Sequence, residues 1–176
     1  MKVGRHTYGH QNIKQMWSQY GELTIGSFCS IADNVTVFLA GNHPIEWMST
    51  FPFWLKGGFN KPIPQKDRWN SKRNFDITIG NDVWIAGGVT IMGGVKIGDG
   101  AVIGRNTHVM SNVKPYSVVG GNPSQRYFYR FSKETIKKLL DVRWWEFSDD
   151  IINELTPYLC SPDINKLIEE CQKYKK

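Results

Sequence analysis

The chain has 176 residues, of which 40% are hydrophobic and seven are Trp, so it can bury the core of one domain and is not a disordered chain. It has no apolar run long enough to cross a membrane, and its first residues lack the apolar stretch of a secretory signal. We therefore expect a cytoplasmic protein without a membrane span. The net charge of +6 comes from scattered Lys and Arg without a nucleic-acid-binding motif, so no nucleic-acid partner is expected.

Repeats of six residues begin near the N-terminus. After a weaker match at Val3, the hexads IGSFCS and IADNVT occupy residues 25–36. The pattern then stops and resumes at Ile79, a whole number of hexads after Ile25. A segment of this length without repeats inside a compact domain is usually functional. We therefore predict one long loop, residues 38–74, inserted between coils of a repeat structure.

Six consecutive hexads follow the predicted loop: IGNDVW, IAGGVT, IMGGVK, IGDGAV, IGRNTH and VMSNVK. The first position is always aliphatic, the fifth is small or β-branched, and Gly, Asn and Asp fill most third and fourth positions. A period of six fits neither a helix nor a strand alone. It fits a short strand followed by a tight turn, whose residues tolerate unusual backbone angles. Three such units close one triangular coil, so the pattern predicts a parallel β-solenoid.

Three amphipathic helices are predicted after residue 123. Each begins at a residue that can cap it or at a proline in its first turn: Ser132, Ser148 and the pair Ser161-Pro162. Trp144 and Trp145 lie between the first two helices. We expect residues 1–123 to form the β-domain and residues 124–176 to form helices packed on it.

The cysteines and histidines of the sequence predict neither a disulfide nor a metal site. Cys29, Cys160 and Cys171 are odd in number and contain no CxxC pair, so we expect reduced, buried thiols, with Cys29 in a structural position of the repeat. His6 and His10 have a spacing that binds metal on a helix, but the glycines around them argue against a helix there. No metal is expected.

Sequence blocks of a known type occur in a fixed order along nearly the whole chain: VGRHTYG, IGSFCSIADNVT, GNHPIEWMSTFPF, IGNDVWIAGGVTIMGGVKIGDGAVIG, GGNP, the pair Arg130-Phe131, and WWEF at Trp144. With these blocks the chain resembles the hexapeptide-repeat acyltransferases, in the xenobiotic branch that holds the chloramphenicol and streptogramin acetyltransferases. The resemblance implies an all-β core with an α-helical C-terminal appendage, in which the core is a left-handed parallel β-helix. It also implies a homotrimer and acetyl-CoA as the acyl donor.

The chemistry implied by the resemblance is transfer of an acetyl group from a thioester to a hydroxyl or an amine. By motif, the catalytic His of the family corresponds to His43, at the mouth of the predicted loop. A neutral imidazole, with a pKa near ~6.5, can take the proton of the attacking group and pass it to the leaving thiolate. We expect direct attack without an acyl-enzyme, and Glu46 is one candidate for orienting the imidazole.

Related enzymes bind the pantetheine arm of the donor in the groove between adjacent subunits. Matching the motifs residue by residue places these contacts on two stacked coils, at Ala86, Gly87, Gly104 and Arg105. Arg126, just after Gly-Asn-Pro, is a candidate for the CoA phosphates. Ser111 stands where relatives often have Lys, and Arg105 could compensate for that difference.

Aromatic side chains in the loop and before the first good coil are candidates for binding the acceptor: Trp17, Tyr20, Trp47, Phe51, Phe53 and Trp54, with Phe59 nearby. Aromatic faces stack equally well on sugar rings and on flat antibiotics. Pro44 follows His43, where the drug-modifying branch commonly has Arg, whereas His-Pro occurs in sugar O-acetyltransferases acting on galactosides and maltose. We therefore predict a saccharide acceptor, such as a nucleotide sugar or a cell-surface glycan precursor, with an antibiotic as the alternative.

Two other classes of protein are compatible with the hexads alone. A γ-type carbonic anhydrase needs three His ligands on a metal, but the coils contain only His108, at a position expected to face a turn, near solvent or CoA. A non-catalytic β-solenoid binding module needs neither His43 nor a long aromatic loop. Both features favour the acetyltransferase.

Overall fold

The computed structural model describes residues 1–53, 56, 58, 59 and 74–174. In this part of the chain the strands are β1 (Lys2–Val3), β2 (Lys14–Met16), β3 (Leu23–Ile25), β4 (Ser30–Ile31), β5 (Thr36–Phe38), β6 (Ile77–Ile79), β7 (Trp84–Ile85), β8 (Thr90–Met92), β9 (Lys96–Ile97), β10 (Val102–Ile103), β11 (His108–Val109), β12 (Ser117–Gly120) and β13 (Gln125–Tyr129). The helices are α1 (Lys133–Val142), α2 (Asp149–Leu159) and α3 (Ile164–Gln172).

The strands stack into three sheets, which form the sides of a triangular prism. Side A is β1-β3-β6-β9, side B is β4-β7-β10-β12-β13, and side C is β2-β5-β8-β11. Neighbouring strands pair in parallel, except that β13 is antiparallel to β12. From β3 to β11 the strands visit sides A, B and C in turn, and Thr78 pairs with Lys96, so one coil takes three hexads. This is the left-handed parallel β-helix that the hexads and the family resemblance predicted.

The interior of the prism is filled by the first and fifth positions of the hexads. All six first-position side chains are at most 2% exposed: Ile79, Ile85, Ile91, Ile97, Ile103 and Val109. The fifth-position side chains are also buried: Val83, Val89, Val95, Ala101, Thr107 and Val113. Burial of stacked aliphatic side chains supplies the main driving force for such a fold. The predicted inward positions are therefore confirmed.

The long insertion leaves the prism at one corner and does not interrupt the stacking. Strands β3 and β6 are direct neighbours although the whole insertion lies between Leu23 and its partner Ile77. The chain leaves after β5 on side C and returns at β6 on side A, so both ends of the insertion lie at the corner between these sides. Phe38, predicted as the first loop residue, is the last residue of β5. Leu39 and Phe75 are buried at the two ends of the insertion.

The first coil is longer than the others. Lys2 pairs with Thr24, which lies further along the chain than three hexads, and the segment between them includes a short 3-10 turn at His10–Asn12. Gly9, just before this turn, has a φ of 78°, and a Cβ there would lie 1.7 Å from the carbonyl oxygen of Ile31. The weak match at Val3 therefore does form a coil, but one that departs from the three-hexad spacing.

The C-terminal segment begins with a strand rather than with a helix. Strand β13 occupies Gln125–Tyr129, and α1 starts after its cap Ser132, whose side chain accepts the amide of Thr135. The third helix begins at Ile164 and not at Pro162, because Asp163 accepts the amide of Lys166 and takes the capping position. Among the described residues, no helix is both long and apolar enough to span a membrane.

The three helices enclose a second apolar core that rests on the prism. Its buried members from the helical segment are Leu139, Val142, Trp144, Trp145, Leu155, Leu167, Ile168 and Cys171. Tyr116, from the last coil, belongs to the same core. The Arg5 guanidinium in the first coil donates to the carbonyl oxygens of Trp145 and Phe147. Phe28 of the prism packs against the same core, with its ring 4.9 Å from that of Trp144, so the helices contact the prism through both aromatic and polar side chains.

Candidate active site

His43 lies on the exposed stretch of the insertion that follows the corner between sides C and A. Its Nδ1 is 2.5 Å from the carbonyl oxygen of Thr50. A carbonyl oxygen can only accept, so Nδ1 donates, and in the neutral ring the lone pair is on Nε2. This is the tautomer that a general base needs. The orienting partner is a backbone carbonyl rather than the Glu46 carboxylate considered from the sequence.

The turn that carries His43 is held by an aromatic ring and a buried proline. Gly41 has a φ of 94°, and a Cβ there would lie 2.4 Å from the ring of Trp17. The Trp17 ring also packs 5.7 Å from the ring of Phe38 in β5. Pro44, next to His43, is buried. Trp17 was predicted to bind the acceptor; in the structure its ring supports the backbone next to His43.

Aromatic side chains from the insertion form an exposed cluster beside His43. The ring of Phe53 lies 4.9 Å from that of Phe51 and 4.8 Å from that of Phe59, and each of the three is more than 40% exposed. Phe51 directly follows Thr50, whose carbonyl oxygen contacts His43. These rings therefore place an apolar face close to the imidazole.

The other predicted acceptor residues have different surroundings. Tyr20 is about half exposed, in a short turn after β2. Trp47 is half-buried and already engaged with a neighbour. Trp54 lies outside the described residues.

The four residues predicted to contact the donor arm lie together at the corner between sides B and C. Ala86 and Gly104 follow β7 and β10, which are neighbours on side B. The Ala86 amide donates to the Ile103 carbonyl, and the Gly104 amide donates to the Val119 carbonyl, so these two amides are used in stacking the coils. A Cβ on Gly87 would meet only the Asp33 carbonyl oxygen, at 3.4 Å. The backbone at Gly87 is therefore open to a ligand.

Ser111 and Arg126 line one cavity of about 200 Å³ at the C-terminal end of the prism. The Arg126 guanidinium is fixed against Tyr129, since Nη1 donates to the tyrosine hydroxyl at 2.7 Å and the guanidinium carbon lies 4.4 Å from the ring centroid. Lys114 also lines this cavity. The sequence analysis did not name Lys114 as a site residue. Its position in the same hexad as Ser111 was a signal that could have indicated it.

The sequence predicted that His108 faces a turn. In the structure it lies in strand β11 and is half-buried. Its Nε2 is buried and has no hydrogen-bond partner in the part of the chain that the structure describes. In the same part, no cluster of three or more His, Cys, Asp or Glu side chains is placed to hold a metal ion.

The three cysteines differ in exposure. Cys29 is fully buried, its Sγ donates to the Gly80 carbonyl oxygen at 3.1 Å, and burial raises the pKa of the thiol to about 11. A thiol with this pKa is a poor nucleophile near neutral pH, which agrees with a structural role. Cys171 is buried in the helical core, but Cys160 is exposed, so the expectation of three buried thiols is wrong for Cys160. It lies at the end of α2, where the last turn faces solvent.

Comparison with known proteins identifies the class to which this fold and site belong. The family profile described as bacterial transferase hexapeptide (six repeats) matches residues 76–111. A solved hexapeptide-repeat acetyltransferase from Vibrio cholerae, in complex with acetyl-CoA, aligns with a TM-score of 0.55 at 25% identity. The alignment covers 74% of this chain and 60% of that structure. The chain belongs to the hexapeptide-repeat acetyltransferases, and the predicted enzyme class and the acetyl-CoA donor are confirmed.

Within this family, the curated proteins similar to this chain include antibiotic acetyltransferases. Chloramphenicol acetyltransferase of Escherichia coli is 39% identical over 186 residues, which covers 98% of this chain and 88% of the relative. Virginiamycin A acetyltransferase of Staphylococcus aureus is 46% identical over 148 residues, which covers 83% of this chain and 66% of the relative.

The predicted saccharide acceptor is contradicted by these relatives. That prediction relied on Pro44 after His43. In the structure Pro44 is buried, which gives this proline a structural reason to be present whatever the acceptor is. A single residue that supports a turn is thus a poor guide to the acceptor, and the antibiotic alternative agrees better with the relatives.

Proposed function

We propose that the protein acetylates a hydroxyl group of an antibiotic, using acetyl-CoA as donor and His43 as general base. The observation that supports this most strongly is the contact between His43 Nδ1 and the Thr50 carbonyl oxygen. It leaves Nε2 as the basic nitrogen of an exposed imidazole beside an aromatic surface. The similarity to chloramphenicol and virginiamycin A acetyltransferases supports the class of acceptor.

The proposed reaction is a direct transfer in one active site. His43 Nε2 takes the proton from the acceptor hydroxyl as its oxygen attacks the thioester carbonyl carbon. The tetrahedral intermediate then collapses, the C–S bond breaks, and the CoA thiolate receives the proton from the imidazolium. The Thr50 carbonyl holds the ring throughout, because it accepts the Nδ1 proton in both protonation states. No residue of the protein becomes acylated.

The aromatic cluster of Phe51, Phe53 and Phe59 is the proposed surface for the acceptor. Its rings pack edge to face, at interplanar angles of 66° and more, and do not stack on one another. Together they form a wall of aromatic faces and edges. Such a wall favours a flat or macrocyclic apolar molecule whose hydroxyl points to the imidazole.

The donor is proposed to bind at the corner between sides B and C, and the active site to combine two copies of the chain. His43 follows the corner between sides C and A, so side C separates it from Ala86, Gly87, Gly104 and Arg105 of the same chain. A second prism that packs with its donor corner against the His43 corner of the first would bring both halves together. This contact is head-to-tail, and three triangular prisms close it into a ring. We therefore propose a homotrimer.

Release of free thiol from acetyl-CoA tests this function with chloramphenicol, a virginiamycin-type streptogramin and a macrolide as acceptors. We expect turnover with at least one of them and a loss of about 10²–10⁴-fold in kcat for His43→Ala. His10→Ala is the matched control, because its Nδ1 also contacts a backbone carbonyl, that of Thr7, at 3.2 Å. His10→Ala should retain activity. Full activity in His43→Ala would exclude the proposed mechanism.

A further inference from the structure

A cavity of about 200 Å³ lies where the helices meet the prism. Three polar residues and six apolar ones line this Tyr116 cavity: Asp82, Tyr116, Arg130, Phe131, Leu139, Trp144, Leu159, Ile164 and Leu167. Asp82 lies between β6 and β7, and Tyr116 lies just before β12, so both are at the corner between sides A and B. The proposed acceptor and donor surfaces lie at the other two corners. The cavity therefore belongs to neither half of the proposed active site.

The hydroxyl of Tyr116 is a buried polar group without a protein partner. The residue is 2% exposed, and its hydroxyl forms no hydrogen bond with any residue that the structure describes. The ring is held in place by Gly100, where a Cβ would lie 2.4 Å from it. Burial raises the pKa of the hydroxyl, so the group is neutral near pH 7 and can both donate and accept. Because an unpaired buried hydroxyl costs free energy, a bound molecule that pairs with it is favoured.

The two charged residues of the cavity neutralise each other. Arg130 Nη1 lies 3.5 Å from Asp82 Oδ2 and donates to the Gly100 carbonyl oxygen at 2.8 Å. An ion of either sign would be attracted by one member of this pair and repelled by the other, and it would also lose hydration. The lining therefore favours a neutral molecule over an anion or a cation.

The rest of the lining is apolar and comes from the second core. Leu139, Trp144 and Leu167 are at most 9% exposed, whereas Leu159 and Ile164 are half-buried. Cavities of ~150 Å³ with a lining of aliphatic and aromatic side chains bind benzene. The Tyr116 cavity thus has room for one aromatic ring with a small substituent.

We propose that the Tyr116 cavity binds a small neutral molecule of about the size of phenol, with one hydroxyl on an apolar body. The hydroxyl of the ligand pairs with that of Tyr116, and the apolar body contacts Leu139 and Leu167. Since the cavity joins the helices to the prism, the bound ligand stabilises the folded protein. This site is independent of the proposed acetyl transfer, because it uses the third corner of the prism.

Calorimetric titration with phenol and with toluene tests the proposal, because the two molecules have similar size and only phenol carries a hydroxyl. We expect the wild type to bind both. Tyr116→Phe should weaken phenol about fivefold, the value of one hydrogen bond, without weakening toluene. Tyr158→Phe is the matched control, since Tyr158 lies in α2 outside the cavity lining, and it should change neither affinity. Equal weakening of both molecules in Tyr116→Phe, or no change in either, would overturn the proposal.

A second variant shows whether phenol binds in this cavity or on the exposed rings of Phe51, Phe53 and Phe59. Leu159→Trp fills the cavity from a half-buried position and should abolish binding of both molecules, with circular dichroism as the check that it is folded. Binding that persists in the folded variant would contradict the location.

The melting temperature gives an independent measurement. Millimolar phenol should raise that of the wild type by a few degrees, and that of Tyr116→Phe by less. No rise in the wild type would mean that the cavity holds only water, and the proposal would be wrong.

Discussion

His43 depends on a backbone group for its chemistry. The imidazole is exposed, and its hydrogen bond to the Thr50 carbonyl selects both the ring orientation and the tautomer. Because the partner is a main-chain atom, no substitution at residue 50 removes it directly. A change that shifts the loop between residues 43 and 50 should therefore affect kcat without changing the affinity for acetyl-CoA.

Gly87 offers a prediction that separates a ligand effect from a folding effect. A Cβ at this position meets only one carbonyl oxygen, at 3.4 Å, so Gly87→Ala should leave the melting temperature almost unchanged. The added methyl group would occupy the surface proposed for the pantetheine arm. We expect the KM for acetyl-CoA to rise about tenfold, which corresponds to ~1.4 kcal/mol. The KM for the acceptor is the internal control, and a parallel rise in both would contradict this placement of the donor.

The exposure of the thiols predicts their reactivity. In the native protein at pH 8 only Cys160 should react quickly with a chromogenic disulfide reagent, because Cys29 and Cys171 are buried. After denaturation all three should react. Cys160→Ser should abolish the fast phase. Rapid release of two or more equivalents from the native protein would contradict the burial of Cys29 or Cys171.

Burial of Cys29 also predicts how stability changes at high pH. Its pKa is raised from 9.0 in the unfolded chain to about 11 in the folded protein. The neutral thiol is therefore favoured by the fold, and this contribution is fully present below pH 9 and is lost as the pH rises towards 11. At pH 11 the loss is about 2 kcal/mol of the free energy of unfolding. Denaturant titrations from pH 8 to pH 11 should show a smaller decline in Cys29→Ala than in the wild type.

Among the elements, the helices differ in how their first turns are satisfied. Ser132 accepts the amide of Thr135 at the start of α1, whereas Ser148 occupies the same position of α2 without a side-chain hydrogen bond. Both residues are serines at the N-cap of their helix. They therefore form a matched pair for measuring what the hydrogen bond itself contributes.

Replacement of the two caps should give different losses of stability. Ser132→Ala removes a formed hydrogen bond and should lower the free energy of unfolding by about 1 kcal/mol. Ser148→Ala removes none and should cost only a few tenths of a kcal/mol, since Asp149 and Asp150 still favour the N-terminus of α2 through the helix dipole. Urea unfolding followed by circular dichroism measures both. Equal losses would mean that the Ser132 hydrogen bond contributes nothing.

At the scale of the whole molecule, the proposed active site requires two copies of the chain. Light scattering should give three times the chain mass of 20.2 kDa. A mixture of inactive variants gives a sharper test. His43→Ala lacks the base, and Gly87→Trp blocks the donor corner, so each alone should be inactive. Trimers reassembled from equal amounts of both should regain about a quarter of the wild-type sites. No recovery in verified mixed trimers would show that one chain supplies both halves.

The hexads by themselves determined the β-helix, because each repeat places its first and fifth side chains inward by local geometry alone. Ile85 and Val89 illustrate this, since their burial follows from their positions in the repeat. Ser132 as the cap of α1, and Trp144 and Trp145 between α1 and α2, were likewise predicted from the local sequence. The start of α3 was missed because Asp163 competes with Ser161 for the capping position, which depends on backbone angles. The sequence also indicated His43 through its resemblance to a family.

Other features were decided only by tertiary structure, because they depend on contacts between distant segments. The sequence could not show that Thr50 orients His43, since a loop conformation brings a backbone carbonyl to the ring. Nor could it show that Pro44 is buried, and its apparent meaning for the acceptor was therefore overestimated. Lys114 and Arg126 belong to different segments and share a cavity only because β13 folds back against β12. Repeat positions are fixed by covalent spacing, whereas the site is assembled by long-range packing.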